Sequence, residues 1–316
     1  MYAFVAPGQG AQTPGMLAGW LRDPEYAERL RAWSDAADVD LLHLGGKATA
    51  AEITRTDHAQ PLLVAAGLLA YEALGPAWPG GQLVAAGHSV GELTAAVYAG
   101  ALTPADAVRL AAVRGRAMAA ACAETPTSMA AVVGGDEAGV LDRIGELGLY
   151  AATFNGPGQI VAAGAVADLE RLAAAPPPAA AVKPLPVAGA FHTPYMESAR
   201  RAVAAAAERT PFLRPTGTLL SNADGTVVSE PDDVRHRLVE QVVRPVRWDL
   251  CLATLGRIAP EVTVCLPPAR TLAGIYKRQL PTLAVVRVTA PRDLDTVRAR
   301  LGAAVSRKED LGHARV

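Results

Sequence analysis

The sequence predicts an α/β protein built on a parallel sheet, with a smaller β-α-β-β-α-β unit inserted into it. Three observations carry that expectation. Short, wholly apolar runs alternate with long Ala- and Leu-rich helical stretches. One such run, Leu83-Val84-Ala85-Ala86, passes through a glycine-flanked turn straight into a helix. Between residues 128 and 187 the pattern changes to short strands around two short helices.

Taken in order, Tyr2–Ala6 reads as a buried strand that ends in the turn Pro7-Gly8-Gln9-Gly10. Pro24–Trp33 and Pro61–Leu74 read as helices. Leu83–Ala86 is a strand and Glu92–Ala99 the helix after it. Thr103-Pro104-Ala105-Asp106 is a helix start, with Thr as the cap, Pro in the first position and an acid three residues after the cap. That helix should reach about Ala121. The inserted unit follows: strand Met129–Val133, helix Glu137–Leu147, strands Tyr150–Phe154 and Ile160–Ala163, helix Val166–Ala174 and strand Ala181–Leu185. This is the order of a ferredoxin-like subdomain, and it divides the chain into a core of residues 1–127 and 188–316 and an insertion of 128–187. Thr193-Pro194 opens a helix to about Arg209. The core closes with strand Thr218–Leu220, helices near 233–243 and 249–258, and strand Val262–Leu266. The last dozen residues, with Arg307-Lys308-Glu309-Asp310, read as a solvated tail.

Composition excludes several classes. With 51% hydrophobic and 19% charged residues the chain can bury a large core and is not disordered. A formal net charge of −1 provides no field for nucleic acid or an anionic membrane surface. The longest apolar run, residues 61–74, is too short to span a bilayer, so no membrane role is expected. The N-terminus lacks the basic region of a signal peptide. Cys122, Cys251 and Cys265 form no C-x-x-C pair, which argues against a zinc site or a disulfide framework and fits a reducing cytoplasm. A monomer is the default expectation.

The chemistry centres on Gly87-His88-Ser89-Val90-Gly91. A G-x-S-x-G between a strand and a helix is a nucleophile elbow: the glycines permit a sharp turn that lifts the serine hydroxyl clear, and the N–H groups at the helix start face a developing oxyanion. Ser89 needs a base. His43, His58 and His236 lie in polar, surface-like surroundings, and His313 is in the tail. His88 precedes the serine, where its ring should project away from it. His192 stands after Val187-Ala188-Gly189-Ala190-Phe191 at a helix start, which favours the uncharged imidazole. The acids between the two, Asp106, Asp136, Asp142 and Asp168, suit caps or exposed faces. A Ser–His dyad oriented by a main-chain carbonyl is therefore the simpler account.

Six motifs in order carry a family resemblance. They are residues 3–12 (AFVAPGQGAQ), 87–92 (GHSVGE), 113–118 (VRGRAM), 154–159 (FNGPGQ), 190–194 (AFHTP) and 245–248 (PVRW). The set resembles the malonyl-CoA:acyl carrier protein transacylases and the related acyltransferases of polyketide synthases, over roughly residues 1–280. The resemblance implies a hydrolase-like core with an inserted ferredoxin-like subdomain, an acyl carrier protein as partner and a coenzyme A thioester as substrate, with no metal or redox cofactor. It implies that Ser89 carries the acyl group as an ester and that His192 serves as base and then acid. Gln9 and the Val90 N–H would bind the oxyanion, and Arg114 would pair with the free carboxylate of a malonyl group. His88, Met118 and Phe191 would line the pocket, the bulky Phe191 favouring malonyl over methylmalonyl.

Two departures from the family pattern are visible. Arg244 stands where Asn is common, and its charge is expected to lower the pKa of His192. Cys265-Leu266-Pro267-Pro268 replaces a Glu-x-Gly-Pro-Gly loop. Arg200-Arg201 and Lys277-Arg278 are candidate basic pairs for an acidic carrier protein. Three other readings compete: transfer of another acyl unit or between carriers, a thioesterase that clears stalled acyl groups, and an idle docking module.

Overall fold

A computed structural model of the chain describes residues 1–75 and 83–302. The C-terminal tail foreseen above lies outside the described residues. In chain order the strands are β1 (Tyr2–Ala6), β2 (Leu83–Gly87), β3 (Thr127–Gly134), β4 (Tyr150–Phe154), β5 (Gln159–Ala165), β6 (Ala180–Pro184), β7 (Thr218–Leu220), β8 (Val227–Val228), β9 (Val246–Arg247), β10 (Val262–Cys265) and β11 (Val285–Arg287). The helices are α1 (Pro24–Ala37), α2 (Leu41–Gly46), α3 (Ala50–Thr54), α4 (Thr56–Leu74), α5 (Gly91–Tyr98), α6 (Pro104–Glu124), α7 (Glu137–Glu146), α8 (Val166–Ala174), α9 (Glu197–Ala207), α10 (Pro231–Glu240), α11 (Trp248–Ile258) and α12 (Arg270–Gln279), with a further helical stretch at 294–302.

The first sheet has the order β11-β10-β1-β2-β7-β8 and is parallel except for β8. Its central strands are buried on both faces, which is why they read as continuous apolar runs. Tyr2, Phe4 and Ala6 face one layer, which holds α1, α4, α5 and α6. Ala3 and Val5 face the other, where α11 and α12 pack. The second sheet, β6-β3-β5-β4-β9, is antiparallel over its first four strands and has the ferredoxin-like order. One face packs on α7 and α8 through Val132, Ile160 and Leu172. The other meets α6 and α9 in a cluster that includes Met118, Met129, Phe191 and Met196.

The structure corrects several sequence expectations. The helix read from Pro61 begins at Thr56 and runs through that proline, which gives up one i→i−4 hydrogen bond where the flanking side chains are buried. After Thr193 the chain makes one 3₁₀ turn, Pro194–Met196, before α9. The short helices α2 and α3 escaped the sequence because six and five residues carry no readable period. Their signals are caps: Asp40 for α2, and the Thr49–Glu52 capping box for α3. Val246–Arg247, read as part of a core motif, instead extends the second sheet, pairing in parallel with Thr153 and Phe154.

The elbow between β2 and α5 depends on close backbone approach. A Cβ on Gly91 would lie 2.5 Å from the Ala6 carbonyl oxygen and 2.7 Å from that of Pro7, and a Cβ on Gly87 would collide with the Gly91 carbonyl. Gly91→Ala is therefore expected to destabilise the fold by about 3 kcal/mol in denaturant unfolding, at the upper end of ordinary single substitutions. A loss below about 0.5 kcal/mol, the range of neutral surface changes, would mean that the β1 loop can withdraw freely.

Candidate active site

Ser89 sits at the carboxyl end of β2, beside the end of β1, where open parallel sheets place their functional groups. Its φ is +53°, in the left-handed region that a serine seldom adopts. Asn222, just past β7, holds that conformation: its Oδ1 accepts the Ser89 N–H at 2.8 Å and its Nδ2 donates to the Gly87 carbonyl at 2.7 Å. The His88 N–H donates to the Ala6 carbonyl at 2.9 Å and ties the turn to β1.

Ser89 Oγ lies 2.7 Å from His192 Nε2, and His192 Nδ1 lies 2.7 Å from the Gln241 carbonyl oxygen. The carbonyl can only accept, so Nδ1 carries the proton and Nε2 is left as an acceptor for the serine. The imidazole is 4% exposed, and its φ of +62° is again left-handed. Burial first, and the Arg114 charge second, pull its pKa down to about 3. The Arg244 side chain is not among the causes. Residue 244 acts on the imidazole through its backbone, in the raising direction, so the cation that the sequence assigned to Arg244 is supplied by Arg114.

Arg114, on α6, is 3% exposed. Its Nη1 donates to Gln60 Oε1 at 2.7 Å, and its Nη2 donates to Gln241 Oε1 at 3.0 Å and to Ser89 Oγ at 3.2 Å. Burial lowers its pKa to about 10, opposed by the charge of Glu92. Met118, one turn on, is buried, and its sulfur accepts from Gln60 Nε2 at 3.4 Å. Phe191 packs in the same apolar cluster as Met118. His88 turns to the second sheet, with Nε2 2.8 Å from Asn155 Oδ1 and its ring edge-on to Trp248 at 5.8 Å. The Gln9 side chain donates to Thr56 Oγ1 at 3.3 Å and is thus engaged at the start of α4. Among the described residues neither the Gln9 nor the Val90 main-chain N–H donates to another group.

The candidate basic pairs separate. Arg200 is held between Glu197 and Glu240 and offers no free charge. Arg201 and Lys277 are exposed, as is Arg278, which donates to Gln159. Sequence reasoning did not single out Gln60, Gln241, Asn222 or Glu92 individually. Glu92 had a signal: it stands alone among Gly91, Leu93, Ala95 and Ala96 on a helix start that the pattern buries.

Fold and site define an α/β protein that raises a serine on a strand–turn–helix elbow against a buried, neutral histidine. The acyl transferase domain family matches residues 3–293. The chain is 50% identical over 297 residues to a malonyl CoA-acyl carrier protein transacylase of Mycobacterium tuberculosis, covering 93% of this chain and 98% of that one. It is 34% identical over 297 residues to the transacylase of the same name from Escherichia coli, covering 92% and 96%. The crystal structure of MCAT from Mycobacterium tuberculosis superposes with a TM-score of 0.91 at 50% identity, over 94% of this chain and 99% of that one. The chain belongs to the acyl transferase family.

A histidine kept neutral by burial alters the pH dependence of reaction at the serine. Labelling of Ser89 by a neutral fluorophosphonate is expected to vary less than about threefold from pH 5 to pH 8, where a histidine of ordinary pKa, about 6.5, would lose base function on the acid side. A profile that falls through pH 6.5 would show that the imidazole is hydrated in solution.

Proposed function

We propose that this chain transfers a malonyl group from coenzyme A to the phosphopantetheine thiol of an acyl carrier protein through an ester on Ser89. The observation that carries the reading is a single oxygen, Ser89 Oγ, lying 2.7 Å from His192 Nε2 and 3.2 Å from the buried Arg114 guanidinium. One group can take the serine proton, and the other can hold a carboxylate beside the bond that forms. A plain esterase has no use for that buried cation.

In the first half-reaction Ser89 Oγ attacks the thioester carbonyl as its proton passes to His192 Nε2. The oxyanion of the tetrahedral intermediate is received by the main-chain N–H groups of Gln9 and Val90, and the Gln241 carbonyl stabilises the imidazolium through Nδ1. Collapse breaks the C–S bond, and His192 returns the proton to the departing thiolate. In the second half-reaction the carrier thiol gives its proton to His192, its sulfur attacks the ester, and Ser89 leaves with that proton. On this reading the described residues of 1–127 and 188–316 form the core that carries the dyad, and 128–187 form a subdomain whose Asn155 steadies His88. Phe191 and Met118 wall the acyl pocket and favour malonyl over a branched unit.

Intact-protein mass spectrometry after brief incubation with malonyl-CoA, methylmalonyl-CoA and acetyl-CoA in competition tests the reading. The expected result is a malonyl adduct, absent from Ser89→Ala and discharged by holo carrier protein. His192→Ala should slow its formation by about 10²–10⁴, the usual worth of general acid–base catalysis. An adduct that persists in Ser89→Ala refutes the mechanism. Rapid hydrolysis without carrier would make the chain a thioesterase.

A further inference from the structure

Arg114 is buried, yet among the described residues no carboxylate forms an ion pair or hydrogen bond with it. Its neighbours at hydrogen-bond distance are two amide oxygens, Gln60 Oε1 and Gln241 Oε1, and the Ser89 hydroxyl. A buried guanidinium needs a counter-charge, since desolvation costs several kcal/mol per ion. A direct carboxylate partner would meet that need but would occupy the donor fork wanted for an incoming acid.

An acid stands one amide away. Gln241 Nε2 donates to Glu92 Oε2, while Gln241 Oε1 accepts from Arg114. Glu92 is 3% exposed on the first turn of α5. Its other oxygen accepts the Asn222 N–H at 3.1 Å, and the Ser221 hydroxyl favours the ionised carboxylate. The polarity of this chain is forced from the Arg114 end. Guanidinium has donors only, so Gln241 must present Oε1 to it. The Gln241 NH₂ then faces Glu92, which must accept. Burial raises the Glu92 pKa to about 7; its hydrogen-bond donors and then the Arg114 charge oppose that shift, and the Glu92 charge in turn favours the ionised guanidinium. Nothing in the acyl-transfer steps uses Glu92.

We propose that Glu92 is the remote counter-charge and positioning residue of Arg114: through Gln241 it balances the guanidinium and fixes its geometry without placing its own carboxylate on the guanidinium donors. The inference rests on the reading of Arg114 as the carboxylate site. Glu92 touches no substrate. It governs the discrimination between acyl groups that carry a carboxylate and those that do not. Replacing it by glutamine removes the charge and puts an NH₂ against either Gln241 Nε2 or the Asn222 N–H, so that one of these donors loses its acceptor and the counter-charge to Arg114 is gone.

The test is the ratio of kcat/KM for Ser89 acylation by malonyl-CoA over acetyl-CoA, measured on the full chain as wild type, Glu92→Gln, Arg114→Ala and the double variant. Glu92→Gln is expected to lower the ratio at least about tenfold, chiefly by raising KM for malonyl-CoA, as loss of a charge-assisted pair does. In the Arg114→Ala background the same change should leave the ratio unaltered, because the residue acts only through that arginine. If Arg114→Ala itself keeps the ratio, the carboxylate reading fails. If Arg114→Ala loses the ratio but Glu92→Gln keeps it, or lowers both substrates equally, the counter-charge proposal alone is overturned. Gln241→Met, which breaks the relay in its middle and leaves Glu92 in place, must lose the ratio as well. It decides the matter should Glu92→Gln fail to fold.

Discussion

The arrangement depends on one constraint: a guanidinium buried beside a serine hydroxyl and paired with no carboxylate among the described residues. That choice dictates the neighbours. The ligands of Arg114 on the protein side must be neutral acceptors, and they are the amide oxygens of Gln60 and Gln241. The base beside it must be neutral too, since an imidazolium near Arg114 would put two cations in a medium of low polarity. The Arg114 charge is accordingly the second cause, after burial, of the lowered pKa of His192. On the proposed reading that positive charge adds to burial in keeping the base unprotonated and marks the place of the substrate carboxylate.

Holding these groups together requires backbone that the residues themselves disfavour. Ser89 and His192 both have left-handed φ values, +53° and +62°, each costing about 1–3 kcal/mol for a residue with a side chain. Of the other described non-glycine residues in that region, Asp38 and Ala259 end helices, where such a conformation is commonplace. At the site the strain is held from outside. Asn222 clamps the elbow from both sides, Gly87 and Gly91 allow it to press on β1, and Phe191 anchors the turn before His192 in the apolar cluster beneath it.

The sequence exposed what is local and hid what is assembled. Ser89 was legible because a strand, a turn and a helix start adjoin it in the chain. His192 was legible by its place before a proline-marked helix start, and Arg114 through the family resemblance. The strand order of the inserted unit followed from counting elements. By contrast, Gln60, Asn222 and Gln241 are ordinary polar residues in the sequence. Their importance comes from meeting across 19 to 152 positions of chain. The two-residue strand β9 was illegible for the same reason, since pairing with Thr153 and Phe154 defines it and periodicity does not. The error over Arg244 is of this kind as well: proximity in sequence to a histidine-orienting segment does not say which way a long side chain leaves the backbone.

Neighbouring residues 191 and 192 do unlike work, and the left-handed turn explains how. Phe191 lies in apolar contact with the cluster of Met118 and Met196, while the next side chain turns to Ser89 and Gln241. An extended backbone would also send successive side chains to opposite faces, but it would carry the chain past the elbow. The turn at +62° stops it there and lets Thr193 cap the following 3₁₀ turn, with its Oγ1 also donating to the Ala190 carbonyl at 2.7 Å. The wall and the base are thereby fixed by separate contacts: apolar packing for Phe191, two hydrogen bonds for His192. On the proposed reading a change of bulk at 191 alters which acyl group fits without loosening the Ser89–His192 contact. A substitution at Gln241 removes the side-chain amide that faces Arg114 but keeps the main-chain carbonyl that holds His192, so on the same reading it disturbs the carboxylate subsite before the base.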